Sequence, residues 1–188
     1  MKIWVVRHPR PLVTSGVCYG QLDLEIDRSE LDSLARTLSN YLPKNVPIYS
    51  SSLIRSYALA KAIQVFRPDT TIHSDYRLNE FNFGIWEGVL WSNIPKAEID
   101  AWVQSFPSHY FGGQECVLGF IQRIKSLLLD LEGMDEIILI THAGVIRALH
   151  LLIKSDQEIL KNANDWPKFV IGFGEFELIN CPSRNSNI

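Results

Sequence analysis

The sequence predicts an α/β fold: a three-layer α/β/α sandwich around a mostly parallel central sheet. Two observations carry this. Short apolar, β-branched runs alternate along the chain with stretches whose apolar residues recur at helical spacing, the pattern of strands joined by crossover helices. Two of the apolar runs also stop abruptly at a polar pair, Arg7-His8 and Thr141-His142, as buried strands do where a parallel sheet ends.

The elements follow in order. Residues 3–8 read as a buried strand. Asp27 then opens a helix: Asp27 to Glu30 has capping-box spacing, and Leu31, Leu34, Leu38 and Tyr41 follow at helical intervals until Pro43. A second strand is expected over 47–51, with Ser51 or Ser52 capping a helix over 53–66, and a third, shorter strand over 70–74. From 76 to 113 the pattern is irregular, with one helix expected over 96–106, and residues 87–115 are read as a lid. Phe120, Ile124, Leu127, Leu128 and Leu131 form a helical stripe ending at Gly133. Residues 136–141 are the clearest buried strand, followed by a helix over 144–153 and a final strand over 169–179. Residues 182–188 read as a tail beyond a single domain spanning 1–181.

A chain of 188 residues with 46% hydrophobic content is long enough for one domain with a substantial core. Eighteen basic residues stand against 21 acidic, a net charge of −3, so no basic surplus draws the chain to nucleic acid or anionic lipid. Cys18, Cys116 and Cys181 are odd in number and far apart, which indicates neither a disulfide framework nor a cysteine-rich metal site. No apolar run reaches membrane-spanning length, and the one at the amino terminus is short of a signal-peptide core. The expectation is a cytoplasmic protein with no membrane and no nucleic-acid partner. Oligomeric state is left open.

Ligand sites in open α/β sheets lie beyond the carboxyl ends of the strands. Arg7, His8, Thr141 and His142 stand at such ends, and Arg55 sits on the helix that follows the second strand. Two histidines, two arginines and two helix amino termini at one sheet edge suit a compact anion such as phosphate. A histidine beside permanent cations is disfavoured from protonating, and a neutral imidazole can attack phosphorus, so His8 is the candidate nucleophile. Taken singly, each of these residues could be structural; their convergence is what points to a site. Gly172-x-Gly174 is not a dinucleotide fingerprint, because Glu177 stands at the third glycine position. His73, His109 and His150 read as structural or solvated, Cys18 as incidental, and Trp86 or Trp91 as able to stack on a flat substrate ring.

Four motifs occur in order: Val6-Arg7-His8; Ser51-x-Leu53-x-Arg55-Ser56; Arg77-Leu78-Asn79-Glu80 with Gly84-x-Trp86-Glu87-Gly88; and Thr141-His142-Ala143-Gly144-Val145-Ile146-Arg147. Together they resemble the histidine phosphatase superfamily, also called phosphoglycerate-mutase-like, over residues 1–151. Within it, Cys18-Tyr19-Gly20-Gln21-Leu22-Asp23 and the Gly112-Gly113 turn look most like the α-ribazole phosphatase branch of cobalamin biosynthesis. The resemblance implies that His8 becomes phosphorylated, that Arg7, Arg55 and His142 bind the transferring phosphoryl group, and that Glu80 donates the proton, with Glu87 as its rival. It further implies substrate contacts at Tyr19, Gly20 and Gln21, a small phosphorylated metabolite as partner, and no metal or other cofactor.

Two departures from the family pattern stand out. Pro9 replaces the usual glycine, and Arg10, Pro11 and Thr14 follow it; proline keeps its carbonyl but loses the amide donor. Gly112-Gly113-Gln114-Glu115 replaces Gly-Gly-Glu-Ser, which moves a charge by one residue and is expected to move substrate preference. The expected activity is metal-independent phosphomonoester hydrolysis through phosphohistidine. The alternatives are a mutase-type phosphotransferase, disfavoured because 188 residues leave little room for a large cap, and a catalytically silent phospho-ligand-binding protein.

Overall fold

The computed structural model describes residues 1–154 and 160–182. The tail expected at 182–188 lies outside them apart from Pro182. Five strands, β1 (Lys2–Arg7), β2 (Ile48–Ser50), β3 (Ile72–Ser74), β4 (Glu136–Thr141) and β5 (Phe176–Asn180), form one sheet in the order β3-β2-β4-β1-β5. All neighbours pair in parallel except β1 and β5, which are antiparallel. This is the predicted mostly parallel sheet, with one antiparallel edge strand.

The helices are α1 (Arg28–Tyr41), α2 (Ile54–Phe66), α3 (Lys96–Gln104), α4 (Val117–Asp130) and α5 (Ala143–Lys154). The period-2 alternation of the central strands divides the core into two layers. Val6, Ile48, Ile138 and Ile140 face Ala35 and Leu38 of α1 and Leu59, Ala60 and Ile63 of α2. Ile3, Val5, Ile137 and Leu139 belong to the other layer, with Phe120, Ile124 and Leu127 of α4 and Val145, Ile146 and Leu149 of α5. Because β1 and β4 are buried on both faces, their sequences are nearly continuous apolar runs, which is why they were legible.

Asp27 caps α1, its Oδ1 accepting from the amides of Ser29 and Glu30 at 2.8 and 3.1 Å. The start of α2 departs from expectation. Leu53 is the N-cap residue; the Ser51 hydroxyl accepts from the Leu53 amide at 3.2 Å, and Asp23 takes the Ile54 amide at 2.7 Å. The last strand is also shorter than the expected 169–179, because residues 169–175 form a loop that turns at Gly174, φ +74°. The amide of Gly174 bonds back to the carbonyls of Arg7 and His8 at 3.1 and 3.2 Å.

Between β3 and α4 the chain runs through short 3₁₀ turns and α3. Phe81 stacks on Phe120 at 3.6 Å between ring centroids, and Trp86, Ile94, Phe106 and Phe111 are buried in the α4/α5 layer. Among the described residues no helix is long and apolar enough to cross a membrane.

Candidate active site

The parallel pairing of β1 with β4 puts Arg7 beside Thr141 at the carboxyl edge of the sheet, and the His8 amide donates to the Thr141 carbonyl at 3.0 Å. His8 and His142, one residue past each strand, thereby meet with ring centroids 4.8 Å apart. Both are buried. Arg55, on the first turn of α2, is fully buried in the same region.

The imidazole of His8 is oriented by Pro9. Its Nδ1 lies 2.6 Å from the Pro9 carbonyl oxygen, and a carbonyl only accepts, so Nδ1 carries the proton and Nε2 carries the lone pair. The proline that replaces the usual glycine therefore supplies the one backbone group this orientation needs. Burial, then the Arg55 charge and more weakly that of Arg7, lower the His8 pKa to about 3, so the ring is neutral at physiological pH. His142 is pushed well below the ordinary histidine value by burial and by its neighbours His8 and Arg55.

Neither Arg7 nor Arg55 forms an ion pair among the described residues. The Arg55 fork donates to the carbonyls of Leu22, at 2.9 Å, and Gly20, while Glu80, Asp23 and Glu87 act on it at longer range. Arg7 donates from Nη1 to the Ile171 carbonyl at 2.9 Å, and its guanidinium carbon lies 3.8 Å from the ring centroid of Phe173. Burial lowers the pKa of both, yet an arginine stays charged, and a cation whose partners are carbonyls and an aromatic face retains its capacity for an anion.

Glu80 is bound to the first turn of α5, Oε2 accepting from the Gly144 amide at 3.0 Å and Oε1 from the Phe81 amide at 3.1 Å. Its rival Glu87 has other work. Oε1 accepts from the amides of Gln21 and Phe83 at 2.8 and 3.0 Å, and Oε2 from that of Leu22. It ties the 20–22 loop to the 83–87 turn, holding three backbone amides where Glu80 holds two.

Tyr19, Gly20 and Gln21 border the site through that loop. The Arg55 guanidinium lies 5.6 Å from the Tyr19 ring centroid, and Gln21 Nε2 donates to the Glu80 carbonyl at 3.1 Å. Gly20 is packed so closely that a β-carbon would stand 1.8 Å from the Phe81 carbonyl oxygen. Burial pushes the Cys18 thiol up to about 12, so it stays protonated and is no nucleophile.

Two sequence expectations change, and the shifted charge of Glu115 gains its partners. Trp86 is buried and donates to Glu98 at 2.6 Å, so it is core and not a substrate platform, while Trp91 is partly exposed. Glu115 is held within the protein, where it accepts from the Asn82 amide at 3.0 Å. It pairs with Arg123 at 2.8 Å, and Arg123 in turn donates to the Glu80 carbonyl at 2.9 Å, so the shifted charge steadies the Glu80 segment from behind. Phe173, read as part of a strand, is instead a site residue lying under Arg7, Arg10 and His8. The paired glycines around it were the only signal of a turn there. His150 pairs with Glu177 at 2.6 Å, a structural contact. Among the described residues no group of three His, Cys, Asp or Glu side chains is placed to hold a metal ion.

This arrangement can bind a tetrahedral anion against an imidazole lone pair. Residues 3–163 match the family pattern of the histidine phosphatase superfamily, branch 1. The chain belongs to that superfamily. Phosphatase or mutase-type phosphoryl chemistry is accordingly its activity class. Among solved structures, TTHB049 from Thermus thermophilus is 25% identical, covering 98% of this chain and 95% of its own, with a TM-score of 0.72. A phosphoglycerate mutase from the same organism is 26% identical with the same coverage and TM-score. A protein described as mycobacterial hydrolase 2 shares the fold at 23% identity and a TM-score of 0.75, covering 94% of this chain and 80% of its own. No match is found among curated proteins.

Proposed function

We propose that the protein is a metal-independent phosphomonoesterase working through a phosphohistidine on His8. One observation carries the reading. Among the described residues five buried side-chain nitrogens lack a hydrogen-bonding partner, and three of them are Arg7 Nε, Arg55 Nε and His142 Nδ1. Buried polar groups are almost always paired, so their clustering around His8 supports a site for an anion.

In this reading the phosphoryl group sits between the two guanidinium groups and His142, which take its equatorial oxygens, while the His8 Nε2 lone pair attacks phosphorus in line with the ester oxygen. The P–N bond forms and the P–O bond breaks. Glu80 gives its proton to the departing alkoxide, then as carboxylate takes one from the water that attacks the phosphohistidine, releasing phosphate and restoring His8. Arg7 and Arg55 supply the positive charge that a metal supplies elsewhere.

The substrate class includes α-ribazole 5′-phosphate, a reading supported by the likeness of the Cys18-to-Asp23 run, whose Gly20 and Leu22 carbonyls accept from Arg55. The mutase reading rests on the Thermus relative described as a phosphoglycerate mutase. A panel of phosphate monoesters that includes α-ribazole 5′-phosphate, assayed with chelator present, tests the proposal: phosphate release that disappears in His8→Ala supports it. Sustained isomerisation of 3-phosphoglycerate, primed with 2,3-bisphosphoglycerate and without phosphate release, overturns it in favour of the mutase. Phosphate binding without turnover of any ester points to the silent protein.

A further inference from the structure

A chain of buried hydrogen bonds runs behind His142 and has no part in the chemistry just described. The Ser52 amide donates to Asn79 Oδ1 at 2.9 Å, which identifies that atom as the oxygen of the Asn79 amide. Ser51 Oγ lies 2.7 Å from the same oxygen. An amide oxygen only accepts, so the single hydroxyl proton of Ser51 is directed to Asn79. Ser51 Oγ can then only accept from its other neighbours, the Leu53 amide at 3.2 Å and His142 Nε2 at 2.7 Å. Ser51 and His142 are fully buried and Asn79 is 8% exposed, so water does not offer an alternative partner.

We propose that Asn79 and Ser51 are positioning residues that fix His142 with its proton on Nε2, so that phosphate dianion binds only together with one additional proton. Nε2 is committed to Ser51 at 2.7 Å, with the Ser56 hydroxyl a second and longer neighbour at 3.3 Å, which leaves Nδ1 as the nitrogen available to the anion. In the neutral ring that atom bears a lone pair and has no partner. Facing a fully ionised phosphate oxygen, two lone pairs would meet, and the contact becomes favourable only when a proton lies between them. The proton is held by the imidazolium or arrives on the phosphate, and the balance is the same. Arg7 at the end of β1, His8 just past it, Arg55 from α2 and Arg123 from α4 are the charged and titratable groups acting on His142, and Glu80 is bound at Gly144 in the next turn of chain. The cations oppose an imidazolium in the free enzyme, and the dianion removes that opposition.

This inference rests on the phosphomonoesterase reading for its ligand but not for its test. Calorimetric titration with inorganic phosphate at pH 8, in phosphate-free buffers of different ionisation enthalpy, measures proton uptake directly. Uptake of about one proton is expected, and the Kd should rise about tenfold per pH unit above neutrality. In Asn79→Ala the Ser51 hydroxyl is free to donate to His142 Nε2, Nδ1 then carries the proton, and uptake should fall toward zero with a flat pH profile. Asn79→Asp still accepts from Ser51 and should keep the uptake. No uptake in the unaltered protein, or undiminished uptake in Asn79→Ala, overturns the proposal. Nitrogen NMR of the His142 ring in the unaltered, unliganded protein is a second test that needs no variant: protonated Nε2 is expected, and protonated Nδ1 overturns the relay. A chain that binds no phosphate counts against the phosphomonoesterase reading, while the ring tautomer still decides the relay.

Discussion

Gly144 has no β-carbon at the point where one would stand 2.1 Å from Oε1 of Glu80. The absence of that one atom lets the carboxylate rest on the Gly144 amide in the first turn of α5, close in the chain to His142. Gly144 is not among the glycines with positive φ, so alanine suits its backbone and would favour the helix. Gly144→Ala should therefore fold normally while displacing Glu80. Loss of general acid catalysis is worth about 10²–10⁴-fold, and it matters least when the leaving group needs no proton. The variant should lose about a hundredfold or more in kcat/KM, which reports the first phosphoryl transfer alone, on alkyl phosphates and much less on p-nitrophenyl phosphate. Equal losses on both would remove Glu80 from the acid role.

Glu80 and Glu87 should separate cleanly. Glu80→Gln keeps the shape of the site and should lower kcat about 10²-fold or more with little change in melting temperature. Glu87→Ala leaves the amides of Gln21, Leu22 and Phe83 without their acceptor and should cost about 2–3 kcal/mol of stability. Unfolding curves beside initial rates check both. A Glu87→Ala protein of full stability but abolished kcat would reverse the assignment.

The buried histidines predict how stability depends on pH. Burial, with the nearby arginine charges, lowers His8 from 6.5 to about 3 and His142 well below 6.5. The unfolded chain takes up both protons near pH 6.5 and the folded one does not. Stability is thus full above about pH 6.5 and falls as pH drops toward the folded values, by at most about 1.4 kcal/mol per pH unit for each histidine. Urea unfolding of the unliganded protein at pH 7 and pH 5 should show a loss of about 2–4 kcal/mol, smaller in His8→Asn.

Phe173 should matter through Arg7. Its ring lies 3.8 Å from the Arg7 guanidinium and 4.7 Å from that of Arg10. A partly desolvated cation–π contact is worth about 1–2 kcal/mol, so Phe173→Leu should lower kcat/KM about tenfold, whereas Phe173→Tyr should retain most of it. Kinetics of both variants on one substrate checks this, and an unchanged Phe173→Leu would leave Arg7 to its Ile171 bond alone.

How far the site could be read from sequence follows from what each residue contacts. β1 and β4 are buried on both faces and α1 carries its own cap, so local pattern sufficed to mark them, and the two strand ends delivered Arg7, His8 and His142. Arg55 follows from its place on the helix after the second strand, whereas Glu80 depends on the family resemblance, because a glutamate in a loop carries no local mark of its role. The sequence predicts Ser51 or Ser52 as a helix cap, but the Ser51 hydroxyl proton goes to Asn79, a partner 28 positions away that no periodicity reveals. Phe173 was misplaced for a related reason. An apolar residue whose partners are cations at the end of β1 looks, in sequence, like any residue of a strand.

The central claim is covalent, and trapping the intermediate tests it most directly. Protein mixed with a phosphorus-labelled monoester and quenched in alkali should carry label that survives base, is released by acid and maps to His8. His8→Ala should carry none. Acid-stable label, or undiminished labelling of His8→Ala, would contradict the account.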